Sequence, residues 1–574
     1  MVADSCKGIK LKINLIMSQS TYVRRSMQVV LSKPKFLFLL TILLTNAFTA
    51  SSQVTNHVRP NILFIAVDDL RPELGCYGAT QIKTPNIDRL ATRGVLFTRA
   101  YCQQPLCGPT RASILTGLRP NSTGVFDNKT DFRDKNPDVV TLPKYFKNNG
   151  YKTMTIGKVF HSGFKDKISW TEELKPKTLG EPYPIKALGG YQLPENRQAY
   201  KELSDSLSGE GKTGEDARAL LSGPSTECAD VPDNAYTDGI TAETAIGAIR
   251  KSDNNPFFLA VGFSKPHLSF IAPKKYWDLY DESKLELTKS PLAPKDCPPI
   301  ALNSSIELRA RTDMPKDGPI SDKDAVRLLH GYYACVSYVD AQIGRLLDEL
   351  DKKGLTQNTI IVLWGDHGWN LGEHGLWGKT TDFETCAKVP LIIAAPKQKG
   401  NGKSTNGLVE FVDVYPTLCE LASLPLPSHL EGTSARNLLN DPSKPWKKAA
   451  FTQTTCPAVR EWAGKPLDPK TRESFATLID RVEKNIQEFD SDDFSIEKYN
   501  EYVSGYSMRT DRYRFTYWMD NRHPEKPLAI ELYDHQKDPN ENVNIAMQPS
   551  QVQLVKQLTK QWKEGWQKAK PQLN

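Results

Sequence analysis

The sequence predicts an α/β fold in which a large, mostly parallel sheet is sandwiched by helices. Four continuous apolar runs have the length of strands buried on both faces, which is typical of parallel sheets. Helical patterns separate these runs, as the alternating order of α/β proteins requires. Polar and ionisable residues cluster where the runs end, and open α/β sheets bind their ligands at that carboxyl edge. The same edge is therefore the predicted functional site.

Each predicted strand ends in residues that can bind an ion or move a proton. In chain order, the strands and the residues that follow them are Asn61–Val67 with Asp68 and Asp69, Thr153–Gly157 with Lys158 and His161, Phe257–Phe263 with Lys265 and His267, and Thr359–Trp364 with Asp366 and His367. Four separate strands that deliver such residues to one edge indicate a site more strongly than any single motif does.

Helix patterns lie between the strands and end at residues that favour termination. The predicted helices are Ile87–Arg93, Leu142–Asn149, Thr241–Arg250 and Asp324–Lys353. Glycines at 94, 150 and 354 close three of them, as expected for helix C-termini. The segment from Gly163 to Asp233 is irregular, and we expect it to form insertions near the mouth of the site that contribute to substrate selection.

The pattern changes after about Leu424. Short strands are predicted at Tyr506–Arg509, Tyr513–Met519 and Ile530–Tyr533, and a terminal helix at Pro549–Ala569. A small antiparallel sheet covered by a helix suits this region. The predicted organisation is a catalytic domain at residues 53–425 and a C-terminal subdomain at residues 426–574.

The N-terminus resembles an export signal. An apolar run from Phe36 to Leu44 follows Lys33 and Lys35, and it is too short to span a bilayer. Small residues near position 50 offer a cleavage site, so residues 1–52 are predicted to be a signal peptide. An N-terminal membrane anchor is the alternative, since the two kinds of segment differ mainly in length and flanks. We predict an exported protein without stable membrane insertion of the mature chain.

Composition excludes several classes of function. The formal net charge is +7, but the predicted signal peptide carries seven basic residues and one acid, so the mature chain is left with about +1. Nucleic acid and other general polyanions are therefore not expected partners. The ten cysteines include no Cys-x-x-Cys pair, which argues against a zinc ribbon.

The most informative motif starts at Cys107. The run Cys107-Gly108-Pro109-Thr110-Arg111 offers a thiol at the start of a short helix, and Thr116-Gly117 offers its end. The free amides and positive dipole of such a helix end would hold a sulfate or phosphate against the cysteine, and Arg111 could add planar donors. A cysteine taken alone is more often a small buried hydrophobic residue than a nucleophile.

Three carboxylates and an imidazole at two strand ends indicate a metal site. Asp68, Asp69, Asp366 and His367 would repel one another strongly at one edge unless a cation neutralised them. Hard oxygen ligands favour Ca²⁺ or Mg²⁺, and a lone imidazole does not call for zinc. Asp68 and Asp69 taken alone could merely cap the following segment.

These motifs together resemble the signature of the type I, formylglycine-dependent sulfatases. Asp68-Asp69, the Cys107 motif, Gly157-Lys158, Lys265-Pro266-His267 and Gly365-Asp366-His367-Gly368, followed by Lys379, occur in the order found in that family. The finer likeness, over most of residues 58–425, is to its iduronate-2-sulfatase members. The resemblance implies an alkaline-phosphatase-like fold.

The resemblance also implies roles for the motif residues. Cys107 would be oxidised to formylglycine by a formylglycine-generating enzyme. The modified residue would then bind Ca²⁺, preferred here over Mg²⁺, together with Asp68, Asp69, Asp366 and His367. One hydroxyl of the hydrated aldehyde would attack sulfur, and the second would help to expel sulfate.

Further roles follow from the same resemblance. Arg111, Lys158 and Lys379 would stabilise the anion. His161 would act on the diol and His267 on the leaving oxygen, or the reverse. Lys265 and Trp369 are candidates for substrate binding, although an aromatic residue such as Trp369 is as readily a core residue.

The sequence thus predicts an exported sulfatase that acts on a sulfated oligosaccharide or polysaccharide, such as a glycosaminoglycan with 2-O-sulfate on a uronic acid. In a bacterium it would be periplasmic or extracellular, and in a eukaryote lysosomal or secreted. The alternatives are a phosphodiesterase or phosphonate hydrolase of the same superfamily, and a non-catalytic glycan-binding relative.

Overall fold

A computed structural model describes residues 59–161, 163–176, 179, 183, 188–210, 222–491 and 493–572. The predicted signal peptide, residues 1–52, lies outside the described residues. The strands are β1 (Asn61–Val67), β2 (Val95–Phe97), β3 (Ala100–Tyr101), β4 (Lys152–Gly157), β5 (Glu172–Glu173), β6 (Thr226–Ala229), β7 (Phe257–Phe263), β8 (Phe270–Pro273), β9 (Thr359–Gly365), β10 (Asn370–Leu371), β11 (Trp377–Gly378), β12 (Lys388–Val389), β13 (Leu391–Ala394), β14 (Ser404–Thr405), β15 (Val409–Glu410), β16 (Ala449–Thr455), β17 (Val503–Thr510), β18 (Tyr513–Asp520) and β19 (Pro527–Asp534).

The α-helices alternate with these strands through most of the chain. They are α1 (Pro85–Arg93), α2 (Cys107–Thr116), α3 (Pro120–Thr123), α4 (Phe132–Lys135), α5 (Leu142–Asn148), α6 (Pro194–Gly209), α7 (Thr237–Arg250), α8 (Lys274–Trp277), α9 (Ile306–Arg309), α10 (Asp322–Lys352), α11 (Glu384–Ala387), α12 (Val414–Leu421), α13 (Arg436–Asn440), α14 (Pro469–Ser474), α15 (Ala476–Phe489) and α16 (Val552–Ala569).

An eight-stranded sheet in the order β14-β2-β13-β9-β1-β7-β4-β5 forms the centre of the molecule. β9, β1, β7, β4 and β5 are parallel neighbours, whereas β13 runs antiparallel to both β9 and β2. The four strands predicted from the sequence are the four adjacent strands β9, β1, β7 and β4. The predicted large, mostly parallel sheet is confirmed.

The hydrophobic core lies on both faces of this sheet. Alternate residues of β1 point to opposite sides, as the period of a strand requires. Leu63, Ile65 and Val67 pack in one cluster with α1, α7 and α10, and Ile62 and Phe64 pack in another with α2, α5 and α12. Since both faces of the strand are covered, its sequence is a continuous apolar run rather than an alternating one.

Three of the four predicted helices begin two to four residues earlier than predicted, and the helices that start at Leu142 and Asp322 end one residue before their predicted ends. α1 begins at Pro85, a residue that suits the first helical position. α10 begins one residue after Ser321, whose side chain accepts a hydrogen bond from the Asp324 amide. The segment predicted to be irregular, 163–233, contains the helix α6, although only Leu207 of that helix is buried. A helix with so small a buried face has a weak periodic signal.

A second, antiparallel sheet near the C-terminus has the order β16-β17-β18-β19. α16 packs against it, with the Trp562 ring stacked on Tyr517 at a centroid distance of 4.3 Å. The predicted small sheet and terminal helix are confirmed, and the structure adds β16, together with α14 and α15 between β16 and β17. None of the described helices is both long enough and apolar enough to span a bilayer.

Candidate active site

The carboxyl ends of β9, β1, β7 and β4 lie side by side, and the residues that follow them converge. At the end of β4, Gly157 is paired with Gly262 of β7. A Cβ at Gly157 would lie 2.0 Å from the Gly262 carbonyl oxygen, so only glycine permits this approach. This close contact fixes the backbone immediately before Lys158.

Cys107 begins α2, and all ten residues of that helix are buried. The Gly108 amide donates a 2.7 Å hydrogen bond to Oδ1 of Asn128, which satisfies one free donor of the helix start. Gly117 ends the helix with φ 73°, as the sequence predicts. The thiol, 1% exposed, has its pKa raised well above the ordinary value because burial and Asp68 disfavour the thiolate.

Three polar groups surround the Cys107 sulfur. His367 Nε2 lies 3.2 Å from Sγ, Lys158 Nζ 3.6 Å and Lys379 Nζ 3.7 Å. Lys158 also bonds Asp68 Oδ2 at 2.5 Å, and Lys379 bonds Asp69 Oδ1 at 3.0 Å. Each ammonium is therefore shared between the thiol and at least one carboxylate.

Arg111 holds the carboxylates rather than facing open space. Its side chain is fully buried, with Nε 2.9 Å from Asp366 Oδ2 and Nη2 3.0 Å from Asp68 Oδ1. Nη1 donates to the carbonyl oxygens of Lys158 and Val159. Four acceptors thus engage the five N–H donors of the guanidinium, and a direct contact with a substrate anion would use the remaining donor or replace one of these bonds. The anion-binding role of Arg111 stays a prediction.

The carboxylates, thiol and imidazole fit a divalent cation. Ligand atoms of Asp69, Cys107 and His367 lie within 4.8 Å of one another, as do those of Asp68, Cys107 and Asp366. Burial raises the pKa of Asp69 well above its ordinary value despite Lys379, and neighbouring acids add to the rise. A buried group of acids of this kind is stabilised by a cation, and oxygen donors favour Ca²⁺ or Mg²⁺.

His367 has the geometry of a neutral ligand. Its Nδ1 lies 3.1 Å from the Gly368 carbonyl oxygen, which can only accept, so Nδ1 carries the hydrogen and Nε2 is free to coordinate. Burial lowers the pKa of His367 to about 4, which keeps the ring neutral at physiological pH.

Glu307, on the short helix α9, is a site residue that the sequence analysis missed. Its Oε1 lies 3.2 Å from His267 Nε2, and its Oε2 lies 3.6 Å from Lys379 Nζ. His267 Nδ1 lies 2.7 Å from the Leu268 carbonyl oxygen and must therefore carry a hydrogen. Burial, with Lys379, lowers the pKa of His267 well below its ordinary value, so the ring is neutral and its Nε2 faces the Glu307 carboxylate.

His161 lies beside the same charges. Its pKa is lowered to about 3 by burial, by Lys158 and, to a smaller extent, by Arg111 and Lys379, so the ring is neutral. Its Nδ1 is buried and has no hydrogen-bond partner in the part of the chain that the structure describes. An unsatisfied buried nitrogen near an anion-binding centre is available to a ligand or to water.

The two predicted substrate-binding residues lie beside the site but are engaged within the protein, with the Trp369 ring centroid 5.2 Å from Lys379 Nζ. Trp369 is 1% exposed and packs in the core against Phe270, so it presents no face to a sugar. Lys265 Nζ donates to the carbonyl oxygens of His267 and Ser269, at 2.9 and 2.6 Å. That ammonium therefore braces the loop that carries His267, and a substrate contact would have to replace these bonds.

Comparison with known proteins shows the family to which this fold belongs. The family model for sulfatases matches residues 60–424 of the chain. The iduronate 2-sulfatases of Mus musculus and Homo sapiens are each 34% identical to it, over 84% of this chain and 90% of theirs. The chain belongs to the sulfatase family. It is a sulfuric ester hydrolase, and iduronate 2-sulfatases are among its relatives.

Solved structures share its alkaline-phosphatase-like fold. One, in complex with its substrate D-glucosamine-2-N,6-O-disulfate, has a TM-score of 0.62 and 23% identity, covering 88% of this chain and 99% of the other. The phosphonate monoester hydrolase of Agrobacterium radiobacter also has a TM-score of 0.62, with 22% identity, covering 88% of this chain and 95% of the other.

Proposed function

We propose that this chain is an exported sulfatase that removes sulfate from a sulfated saccharide, with a formylglycine made from Cys107 and a divalent cation. The observation that carries the proposal is the placement of the Cys107 sulfur among His367, Lys158 and Lys379, against a cluster of three carboxylates. A reactive group at this position would meet an anionic ester between two ammonium groups.

The aldehyde supplies what an unmodified thiol lacks. When hydrated it offers two hydroxyl groups, so one can attack sulfur while the ester oxygen leaves, and the other can release sulfate and restore the aldehyde. A serine or cysteine at this position would be left as a stable adduct. Asp68, Asp69, Asp366 and His367 would hold Ca²⁺ beside residue 107, and the cation would supply charge that lowers the pKa of the attacking hydroxyl.

The remaining residues bind the sulfate and handle protons. Lys158 and Lys379 would neutralise the sulfate oxygens from two sides. His267, whose Nε2 faces Glu307, would protonate the leaving oxygen, or exchange this role with His161. His161 Nδ1 or Nε2 would accept a proton from the hydrated aldehyde. Arg111 would hold the side chains of Asp68 and Asp366 in position during the reaction.

The substrate class and location rest on relatives and on the N-terminal sequence. Iduronate 2-sulfatases at 34% identity favour a glycosaminoglycan-like saccharide with a 2-O-sulfated uronic acid. The basic and apolar N-terminal run favours export, with the oxidation of Cys107 completed by a formylglycine-generating enzyme.

Mass spectrometry combined with an activity panel tests the proposal. The chain, co-expressed with a formylglycine-generating enzyme, is digested and the peptide containing residue 107 is weighed. It is also assayed on defined sulfated oligosaccharides, an aryl sulfate and an aryl phosphate diester. We expect an aldehyde at residue 107, sulfate release, and loss of activity in Cys107→Ala. Active protein with an unmodified cysteine, or faster cleavage of the diester, would contradict the proposal.

A further inference from the structure

Asp69 has a backbone conformation that few side chains adopt. Directly after β1 its φ is 57°, in the left-handed region, which is uncommon for a residue other than glycine, although aspartate tolerates it better than most. Such a conformation persists only where the surrounding structure holds it. Because the Asp69 carboxylate is one of the predicted metal ligands, the groups that hold this backbone also set the direction of that ligand.

Tyr332 of α10 holds the Asp69 backbone. Its hydroxyl donates a 2.8 Å hydrogen bond to the Asp69 carbonyl oxygen and accepts a 3.0 Å bond from the Arg71 amide. The side chain is fully buried, and the Phe270 ring lies perpendicular to it at a centroid distance of 5.6 Å. The Asp69 amide donates to Asp366 Oδ1 at 3.0 Å. One phenol thus satisfies two backbone groups of the turn, and such groups are costly to leave without partners when buried.

The same turn is tied to the segment that follows Asp366 and His367. Arg71 Nη1 donates to the Trp369 carbonyl oxygen at 3.0 Å, and Nη2 donates to Glu373 Oε1 at 2.9 Å. The turn after β1 and the segment after β9, which between them carry the predicted ligands other than Cys107, are therefore joined by direct hydrogen bonds. Tyr332 fixes the backbone from which the Arg71 side chain extends.

We propose that Tyr332 is a positioning residue for the metal centre: its hydroxyl holds Asp69 in the left-handed conformation that brings the carboxylate to Cys107 and His367. Asp69 Oδ1 lies 3.5 Å from His367 Nε2, and ligand atoms of Asp69, Cys107 and His367 lie within 4.8 Å of one another. The Tyr332 hydroxyl is bonded to the Asp69 backbone rather than to its carboxylate, so it acts by orienting the ligand. The proposal rests on the proposed function, in which Asp69 binds Ca²⁺.

The same helix offers a matched control. Tyr338 is also fully buried, and its hydroxyl donates a 2.7 Å hydrogen bond to the Asp233 carbonyl oxygen and accepts a 2.6 Å bond from the Gly239 amide. Asp233 and Gly239 are not among the predicted ligands. Tyr338→Phe therefore removes the same atom and the same two kinds of hydrogen bond as Tyr332→Phe, but away from Asp69.

The test measures cation affinity in the mature enzyme after a chelator has removed its divalent cations. Isothermal titration calorimetry with Ca²⁺, and separately with Mg²⁺, gives Kd for the wild type and both variants. We expect Tyr332→Phe to raise Kd about 10- to 100-fold, as is typical when a group that orients a metal ligand is lost. Tyr338→Phe should change Kd by less than about threefold, because changes at independent sites do not couple.

Activity provides a second measurement that starts from the loaded enzyme. The Ca²⁺ concentration that gives half-maximal sulfate release from 4-nitrophenyl sulfate should rise in Tyr332→Phe by the same factor as Kd. At saturating Ca²⁺ its kcat should stay within about threefold of the wild type, since Tyr332 is not placed against the substrate. This series gives the comparison even if Tyr332→Phe unfolds when its cation is removed.

The pattern of results decides the proposal. An unchanged Ca²⁺ requirement in Tyr332→Phe, or an equal rise in both variants, would overturn the assignment of Tyr332 and leave the sulfatase function intact. Wild-type enzyme that binds neither cation would contradict the proposed metal centre, and this assignment with it. Wild-type enzyme that binds a cation but releases no sulfate would contradict the proposed function, and the Kd values would still decide the role of Tyr332.

Discussion

Two buried clusters of charge in this molecule differ in what their positive side chains contact. In the Glu410 cluster (Arg119, Glu410, Asp413 and Lys447), Arg119 forms a two-pronged ion pair with Glu410, at 2.7 and 2.9 Å. Lys447 lies 2.7 Å from Glu410 and 2.6 Å from Asp413. Each carboxylate oxygen accepts at least one hydrogen bond. Although burial raises the pKa of Glu410, Arg119 and Lys447 lower it to about 2.

The reaction-centre cluster (Asp68, Asp69, Cys107, Arg111, Lys158, Asp366, His367 and Lys379) includes a thiol and an imidazole among its charges. Its two ammonium groups each contact the Cys107 sulfur as well as a carboxylate. Similar charged residues thus form a structural tie in one place and a candidate active site in the other. The difference lies in the thiol and the imidazole, which add ligand atoms for a cation to those of the carboxylates.

Removal of divalent cations should have the largest effect, and it should affect only the reaction-centre cluster. Dialysis of the mature enzyme against a chelator is expected to lower sulfate release by more than about 10³-fold, since loss of a single preorganised donor already costs 10²–10³. Added Ca²⁺ should restore activity and raise Tm, because a ligand that binds the folded state stabilises it. If metal analysis finds no residual cation and the enzyme is still fully active, the predicted metal site is contradicted.

Lys447→Met should disrupt the Glu410 cluster and leave the reaction-centre cluster intact. Two buried carboxylates would lose their shared cation, which is expected to lower the free energy of unfolding by about 3–5 kcal/mol. Urea denaturation measures the loss, and Lys560→Met, at an exposed lysine of α16, is the matched control. Activity per folded molecule should be unchanged. A variant as stable as the control would show that the cluster contributes little to stability.

Glu307→Gln should have the smallest and most selective effect. Loss of the carboxylate charge beside His267 should make protonation of its imidazole less favourable. For an alkyl sugar sulfate, whose leaving oxygen needs protonation, kcat/KM is expected to fall by about 10²-fold, whereas for 4-nitrophenyl sulfate it should change by less than about threefold. Glu349→Gln removes a buried carboxylate paired with Arg250 elsewhere and serves as control. Equal losses with both substrates would assign Glu307 a structural role only.

The sequence predicted the sheet and its polar edge well for a physical reason. Strands buried on both faces must be continuously apolar, so the sequence alone identifies β1, β4, β7 and β9 as strands. Their order in one parallel sheet then brings Asp68, Lys158, His267 and Asp366 to the same edge. The prediction is reliable where local pattern and sheet geometry require the same arrangement.

The roles of residues that depend on tertiary packing could not be predicted from the sequence in the same way. Glu307 lies on a four-residue helix between loops, with no periodicity to identify it. Trp369 follows the metal-site motif directly, but only the fold turns its ring into the core. Arg111 has the chemistry of an anion binder, yet two carboxylates and two carbonyl groups occupy its donors.

The complete burial of α2 sets an order of events in biosynthesis. A thiol that is 1% exposed, on a helix enclosed along its whole length, is out of reach of another enzyme's active site once the chain has folded. Oxidation of Cys107 would therefore have to take place on the nascent or unfolded polypeptide. The fraction of active enzyme would then depend on the rate of modification relative to the rate of folding. Slower synthesis or added oxidising enzyme should therefore raise specific activity more than any refolding step could.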